Sequence, residues 1–191
     1  MNKYLIIDLE ATCWEDKQEN WDKKSEIVEI GYSLVSDKEI LLSAQSILIK
    51  PVLNPILSQF CKNLTHIKQE DVDNAQTFVN AFRNFEVSLY LPIFDPKVYF
   101  LNEYILCSWG FYDNRILKEI CENNHIDYPF GRHISLKHKF AEKHNLKRPV
   151  GVLKALRMLN LEFEGQHHRG KDDVANITKI FFADRMWEYI L

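Results

Sequence analysis

The chain has 191 residues, of which 46% are hydrophobic and 27% are charged, and its formal net charge is −3 at pH 7. This composition is typical of a globular protein, and we expect residues 1–191 to form a single domain with a sizeable core. It excludes a collagenous or disordered chain, and the net charge excludes a strongly basic protein that coats nucleic acid. No apolar run approaches the roughly 18 residues of a membrane-spanning helix, and we expect neither a signal peptide nor a membrane partner.

Cysteine usage indicates the compartment. The four cysteines are scattered, with no Cys-x-x-Cys pair that would suggest a zinc site or a disulfide framework. We therefore expect reduced thiols in a cytoplasmic protein. The cysteines are Cys13, Cys61, Cys107 and Cys121.

The first half of the chain predicts mostly strands. Apolar residues in 3–10, 26–35 and 40–49 indicate three strands, and the short connection after the second favours an antiparallel meander. A short helix is predicted at 56–61. A fourth strand is predicted at 104–108.

The second half predicts mostly helices. Phe78, Phe82 and Phe85 recur at helical spacing. Arg132 to Ser135 is the candidate for a fifth strand, at the expense of a helix start there. The predicted strands and helices together indicate a mixed sheet with helices packed on it, which is an α/β fold. The later helices are predicted at about 111–124, 133–144, 150–160 and 171–190.

The first strand ends in two carboxylates. Residues two apart on a strand point to the same side, so Asp8 and Glu10 project together and Leu9 points away. Side by side, the two charges repel each other unless a positive partner lies between them, and a divalent metal with its preference for oxygen ligands is such a partner. The alternative is a strand that runs into a solvated acidic loop.

A second acidic position follows the fourth strand. Asp113 falls in the first turn of the next helix, at a strand-to-helix junction where ligands of such sheets often bind. The alternative is that Asp113 only complements the helix dipole.

The last helix opens with two adjacent aspartates. Counting four, seven and eight residues on from Asp173 reaches an apolar stripe of Ile177, Ile180 and Phe181, whereas the same offsets from Asp172 reach a mostly polar face. Asp173 is therefore predicted to face the sheet and Asp172 to face water. A carboxylate on the buried face needs a partner, which a metal would supply.

Two histidines precede these aspartates. His167 and His168 lie in the loop beside the inward carboxylate, where a histidine is a plausible proton carrier near neutral pH. Together with Asp8, Glu10 and Asp113, the acids form a set that can hold two Mg²⁺ ions about 4 Å apart on a phosphodiester.

These motifs resemble those of a known nuclease superfamily. Asp8-x-Glu10, Asp113 and His168 with Asp173 are similar to the three motifs of the DEDDh 3′-to-5′ exonucleases, which have the ribonuclease H-like fold. Residues 8–13 and 55–67 resemble the Eri1-like exoribonuclease group, and 108–113 resemble bacterial members, some described as inhibitors of a sporulation kinase pathway. The likeness runs from about residue 4 to 185.

The resemblance implies a five-stranded mixed sheet with helices on both faces and assigns roles to residues. It implies that Asp8, Glu10, Asp113 and Asp173 are metal ligands for two Mg²⁺, with Mn²⁺ able to substitute. His168, five residues before Asp173, is implied as the general base, and His167 has the wrong spacing. Gly170-Lys171 departs from many relatives, which have an apolar residue before the aspartates. The SAP-type RNA-binding domain of some eukaryotic members is not expected before the nuclease.

Substrate contacts follow from the same resemblance. Leu9, Ala11 and Thr12 resemble residues that hold the terminal nucleotide, and the Thr12 hydroxyl could meet a ribose 2′-hydroxyl. Trp109 is a candidate for stacking on a base, with core packing as the alternative. The basic stretch at 137–148 predicts either a solvated helix face or a phosphate track.

Three functions stay open at this point. The favoured one is a metal-dependent exonuclease that releases nucleoside 5′-monophosphates from single-stranded RNA. The alternatives are a DNA exonuclease of the proofreading or repair type and a regulatory protein-binding module on a nuclease scaffold. All four acids and the histidine are present, which favours catalysis.

Overall fold

The computed structural model describes residues 2–16, 22–90 and 104–190. Within these ranges six strands form one sheet in the order β4-β3-β2-β1-β5-β6. The strands are β1 (Lys3–Ala11), β2 (Ile27–Ser36), β3 (Ile40–Lys50), β4 (Gln76–Thr77), β5 (Ile105–Ser108) and β6 (Arg132–Ser135). The α-helices are α1 (Gln59–Thr65), α2 (Gln69–Asp73), α3 (Phe78–Tyr90), α4 (Tyr112–Asn123), α5 (Leu136–Lys143), α6 (Val152–Met158) and α7 (Gly170–Ala183).

The sheet is mixed, as predicted, but it has one strand more than the five expected. β1, β2 and β3 form an antiparallel meander, and β5 and β6 run parallel to β1. The additional strand is β4, whose two residues pair in parallel with Ile49 and Lys50. Two residues are too short to produce a recognisable periodicity, which is why β4 is invisible in the sequence.

The predicted helices are found at the expected positions, but their boundaries differ from the prediction. The predicted helix at 133–144 begins at Leu136, because Arg132–Ser135 forms the candidate fifth strand, β6. The helix predicted at 171–190 ends at Ala183 and is followed by a 3₁₀ turn, Met186–Glu188. The short helix is displaced to Gln59–Thr65, because the Ser58 hydroxyl caps it by accepting a hydrogen bond from Cys61 N.

Helices cover both faces of the sheet, and β1 contributes to both cores. Leu5 and Ile7 pack with α3 and α4 on one face, whereas Tyr4 and Ile6 pack with α5, α6 and α7 on the other. This alternation is the period of a strand buried on both sides. By the same period Asp8 and Glu10 lie on the α7 face. No helix in the described part of the chain is long and apolar enough to cross a bilayer.

Two glycines bring α7 against the sheet. A Cβ on Gly31 of β2 would overlap the backbone of Gly170, and a Cβ on Gly170 would lie 2.9 Å from Gly31 N. Only glycine at both positions allows this backbone approach. The consequence is that the first turn of α7 lies directly over the end of β1.

Candidate active site

Three carboxylates meet where β1 ends and α7 begins. Asp8, Glu10 and Asp173 each offer an oxygen, and these oxygens all lie within 4.8 Å of one another. Asp8 and Asp173 are far apart in the sequence, and the packing of α7 on β1 and β2 brings them together. The predicted proximity of the two residues is therefore confirmed, well inside the roughly 10 Å that a compact two-metal site tolerates.

The fourth predicted acid, Asp113, lies beside this trio. It occupies the first turn of α4, as expected, and its Oδ1 accepts a hydrogen bond of 3.1 Å from Leu9 N, the residue between the two β1 acids. The carboxylate is buried. Asp113 thus joins α4 to the acidic end of β1 and does more than complement a helix dipole.

The orientation predicted for the two adjacent aspartates is confirmed for Asp173, which is 5% exposed, and Asp172 is more exposed. The expectation that Asn176 shares a polar, water-facing surface with Asp172 is wrong. Asn176 is fully buried, and its amide exchanges hydrogen bonds with both backbone groups of Glu164. The loop before α7 folds back over this face, which helical period alone does not reveal.

Both histidines reach the acids. His168 Nδ1 lies 3.9 Å from Glu10 Oε1, and His167 Nε2 lies 3.8 Å from Asp173 Oδ1. His168 adopts a left-handed backbone conformation (φ 63°), and its N–H donates a 2.7 Å hydrogen bond to Asp173 Oδ2. Few non-glycine residues adopt this conformation, and here the hydrogen bond helps to hold it.

The electrostatics of the cluster indicate what it can hold. Burial raises the pKa of Asp8, and the charges of Asp113, Asp173 and Glu10 raise it further. Burial and the charge of Asp173 raise the pKa of Glu10 to about 9. Without a cation, the ionised acids destabilise one another.

The donor set fits a divalent metal. Hard carboxylate oxygens within 4.8 Å of one another are what Mg²⁺ or Mn²⁺ prefers, and a cation there offsets the repulsion that raises the acids' pKa values. The same burial, with the neighbouring His167 and His66, lowers the pKa of His168. A neutral imidazole beside the acids can accept a proton.

A buried ion pair that the sequence analysis missed positions the third motif. Glu29 of β2 is 0% exposed and lies opposite Glu10 in the β1–β2 register. Its carboxylate accepts two 3.3 Å hydrogen bonds from the Arg169 guanidinium and one of 2.9 Å from Gly170 N. We call Glu29, Arg169 and Gly170 the α7 clamp. It fixes the N-terminus of α7, and hence Asp173, against the sheet.

The predicted substrate residues are placed unevenly. Leu9 and Trp109 line the cleft over the acids, whereas Ala11 and Thr12 are buried at the end of β1. The Thr12 hydroxyl accepts a hydrogen bond from Glu26 N. Trp109 is only 8% exposed, and its indole N–H donates to Val150 O, which corresponds to the core-packing alternative.

The basic stretch divides into two parts. Lys137 and His138 line the cleft, which has a volume of about 460 Å³. Lys139 and Lys143 instead form ion pairs with acidic side chains, Glu142 at 3.0 Å in the case of Lys139. The geometry therefore does not support a phosphate track along the whole helix.

The remaining wall of the cleft carries aromatic residues that the sequence analysis did not single out. Phe111 and Tyr112 flank Asp113 on its N-terminal side, line the cleft and are 58% and 45% exposed. The sequence shows two aromatic residues directly before a predicted ligand, but only the structure shows that they are exposed. All four cysteines, which lie in the described part of the chain, are free.

The fold and the site together define a class of protein. A mixed sheet with helices on both faces, carrying an acidic cluster and histidines at a strand end, has its counterpart in solved exonucleases. The structure superposes on the nuclease domain of 3′hExo, a DEDDh family member bound to rAMP, with a TM-score of 0.84 and 28% identity over 98% of this chain and 92% of that one.

Sequence comparison identifies the family. The exonuclease (RNase_T) family model matches residues 5–181. A Bacillus subtilis protein named "Probable 3'-5' exonuclease KapD" is 30% identical over 94% of this chain and 83% of its own length. Human 3′-5′ exoribonuclease 1 is 30% identical over 92% of this chain and 50% of its own length. The chain belongs to the exonuclease family of the DEDDh class, and that family depends on divalent metal ions.

Proposed function

We propose that the protein is a 3′-to-5′ exonuclease that hydrolyses single-stranded RNA and releases nucleoside 5′-monophosphates. The observation that carries this proposal is the trio of Asp8, Glu10 and Asp173, whose oxygens lie within 4.8 Å of one another beside two imidazoles. Neither a protein-binding module nor a structural protein needs such an arrangement, because it is costly unless a cation binds. In this proposal residues 1–191 act as one exonuclease domain.

The four acids, Asp8, Glu10, Asp113 and Asp173, would hold two Mg²⁺ ions, with Mn²⁺ as a substitute. When bound, the metal supplies Lewis-acid polarisation of the phosphodiester and neutralises charge that develops in the transition state. Asp113 also holds the backbone of Leu9 through its hydrogen bond, so loss of this side chain would affect both the charge and the shape of the site.

His168 is the proposed general base. Its imidazole lies at the edge of the acids and is partly exposed to the cleft, where an attacking water can approach. The ring accepts the proton of that water, and the lowered pKa of His168 keeps the base unprotonated at neutral pH. The hydrogen bond from His168 N to Asp173 Oδ2 couples the position of the base to that of a metal ligand.

The substrate lies over these groups in the cleft. Leu9 forms part of the floor of the cleft, and the largely buried Trp109 also lines it. Ala11 and Thr12 are buried at the end of β1 and support that part of the strand. RNA as the preferred substrate is supported by relatives named exoribonucleases, which include the human protein. A further structure, at 26% identity and a TM-score of 0.85, describes 3′-end recognition of a histone mRNA stem-loop by an exonuclease. The four free cysteines support a reducing compartment such as the cytoplasm.

The test is hydrolysis of single-stranded oligomers by the purified protein. RNA and DNA of one sequence, labelled at either end, are incubated with Mg²⁺, Mn²⁺ or EDTA. We expect RNA labelled at its 5′ end to shorten stepwise, RNA labelled at its 3′ end to release labelled 5′-mononucleotide at once, and EDTA to stop both. Faster hydrolysis of DNA would reassign the substrate, and no hydrolysis with either metal would favour a protein-binding module.

A further inference from the structure

Phe111 occupies an unusual position at the rim of the cleft. It links β5 to α4 as the N-cap residue of that helix, and 58% of its surface is exposed. Tyr112 and His138 are also exposed in the same cleft, so Phe111 belongs to a group of exposed rings, and such a group marks a binding surface. Phe111 lies two residues before Asp113, and both residues line the same cleft.

The Phe111 ring lies against His138, which is itself exposed. The two ring centroids are 4.6 Å apart, and the planes are inclined by only 32°. The Ser135 hydroxyl lies 2.7 Å from His138 Nδ1 and fixes the orientation of that ring. The two rings are therefore stacked with an offset, and His138 supports one face of the Phe111 ring.

A third ring supports Phe111 from its edge. The His133 centroid is 5.9 Å from that of Phe111, at an inclination of 63°, and the Ser108 hydroxyl holds His133 Nε2 at 2.9 Å. Burial and nearby Lys118 lower the pKa of His133 to about 4, so this ring is neutral at physiological pH. A neutral edge contact fits aromatic packing geometry, and side chains fixed in this way provide a preorganised surface.

We propose that Phe111, supported by the stacked His138 ring, forms a stacking platform for the nucleobase directly upstream of the scissile phosphate. This proposal rests on the proposed function and names the part of the substrate that this wall of the cleft binds. Both rings line the same cleft as Asp8 and Asp173, so the platform is continuous with the acids. Every nucleobase has a face that can stack on an aromatic ring, so the contact gives affinity without sequence preference.

The position of the cations assigns the platform to the upstream side. An exonuclease substrate ends at the acids on one side, and on the other its strand must leave the cleft past groups that tolerate phosphate. Lys137 lines the cleft next to His138, and Lys147 and Arg148 are exposed beyond α5. Lys137 therefore places a positive charge beside the platform, where it can meet the phosphates of a strand that leaves the cleft past His138.

The first test measures stacking without hydrolysis. Oligoribonucleotides that carry 2-aminopurine at the second or the fifth position from the 3′ end are mixed with the protein in Ca²⁺, a cation less strict in coordination geometry than Mg²⁺. We expect fluorescence quenching at the second position in the wild-type protein. The quenching should be lost in Phe111→Leu, which keeps an apolar side chain, and kept in Phe111→Tyr, which keeps the ring. Equal quenching in Phe111→Leu and the wild type would overturn the platform.

The second test is kinetic and separates this proposal from the proposed function. With intact RNA, Phe111→Leu should lower kcat/KM by roughly 5- to 100-fold, mainly through KM. With an abasic nucleotide at the second position, the two proteins should become nearly equal. Ile40→Ala, which alters an exposed apolar residue on β3, is the matched control and should behave as wild type. An unchanged ratio between intact and abasic RNA refutes the platform while leaving the nuclease intact. Position-specific quenching in a protein that hydrolyses nothing would instead refute only the nuclease.

Discussion

The two walls of the cleft are built in opposite ways. The wall formed by β2 and α7 is closed. Glu29 is fully buried, and its carboxylate accepts hydrogen bonds from the other two members of the α7 clamp. Two glycines allow the backbones of β2 and α7 to approach each other closely. The wall formed by α4 and α5 is open, with Phe111, Tyr112 and His138 exposed to solvent. One wall is organised by hydrogen bonds to charged groups, and the other by exposed aromatic rings.

This difference corresponds to two physical requirements. Catalysis by carboxylates needs their oxygens in a fixed geometry, because small displacements are costly, and charge-assisted hydrogen bonds provide that rigidity. Binding of successive nucleotides needs a surface that accepts any base and releases it again, which stacking provides. We therefore expect substitutions in the closed wall to affect turnover, and substitutions in the open wall to affect substrate affinity.

The largest expected effect comes from removing a ligand. Asp8→Asn should lower turnover below detection with either Mg²⁺ or Mn²⁺, because an amide oxygen carries no charge to hold the cation. The fold should be retained, since the substitution is isosteric. The measurements are single-turnover hydrolysis and circular dichroism, with Asp173→Asn as a second variant. Activity like that of the wild type in either variant would reject the ligand assignment.

The next effect is that of the base. His168→Ala should lower the rate by about 10²- to 10⁴-fold while metal binding persists, because the carboxylates remain. The acid-side decline of the wild-type rate should lie below pH 6.5, because burial lowers the pKa of His168, and it should vanish in His168→Ala. The measurement is a pH–rate profile at saturating Mg²⁺.

His167→Ala is the matched control for this variant, and we expect a far milder defect. Its imidazole also reaches the acids, at 3.8 Å from Asp173 Oδ1, so only the kinetics separate the two histidines. If His167→Ala proves the slower enzyme, the roles are exchanged. If both variants keep the wild-type rate, the reaction proceeds without a histidine base.

An intermediate effect should follow from loosening the α7 clamp. Glu29→Ala leaves the Arg169 guanidinium and Gly170 N without their buried acceptor, which costs about 1–3 kcal/mol of stability. The release of α7 should also lower kcat by roughly 10- to 100-fold, since Asp173 is displaced. Glu29→Gln keeps an acceptor and should recover most of the activity.

The Mg²⁺ requirement distinguishes positioning from plain destabilisation. Glu29→Ala should need more Mg²⁺ for half-maximal activity. Glu26→Gln is a suitable control, because the Glu26 carboxylate holds the segment 52–54 by accepting hydrogen bonds from Val52 N and Asn54 N outside the cleft. It should lower stability and leave the Mg²⁺ requirement unchanged. Equal shifts in both variants would show that the α7 clamp acts through stability alone.

The closed wall also shows what the sequence could and could not predict. The directions of Asp8 and Asp173 follow from the strand and helix periods, and both predictions are confirmed. The role of Glu29 could not be predicted, because its partner lies 140 residues away and an acid in a strand carries no periodic signal of its own. Local pattern determines which way a side chain points, whereas the packing of distant elements determines what it meets.

The open wall was predicted less well for a related reason. Trp109 was a candidate for stacking, but it is buried, and its indole N–H donates a hydrogen bond to Val150 O. The exposed rings are Phe111 and Tyr112, which follow the strand end at Ser108. A shift of two or three residues at a strand-to-helix junction exchanges a core position for a solvent position, and the sequence does not locate such boundaries to better than a few residues.

The smallest expected effect concerns stability rather than rate, and it tests the charge balance of the closed wall. Burial and the charge of Asp173 raise the pKa of Glu10 from the usual 4.5 to about 9. Between these values the folded, metal-free protein binds a proton that the unfolded chain does not bind. The contribution of Glu10 to the free energy of unfolding should therefore fall as pH rises from about 4.5 to about 9, and above pH 6.5 the lowered pKa values of His133 and His168 no longer oppose it. Urea unfolding in EDTA at pH 6 and pH 8.5 measures this slope.

Two comparisons identify the source of the slope. Asp8→Asn removes a carboxyl whose own pKa is raised by burial and by the neighbouring acids, so the slope of this variant should be shallower. Glu39→Gln, which alters an exposed acid outside the cleft, should keep the slope of the wild type. Mg²⁺ at pH 8.5 should raise the unfolding midpoint of the wild type, because it binds the ionised acids of the folded state, and should do so less in Asp8→Asn. A metal-free protein that becomes more stable between pH 6 and pH 8.5 would mean that the acids are not crowded, and the fit to a divalent cation would lose its electrostatic basis.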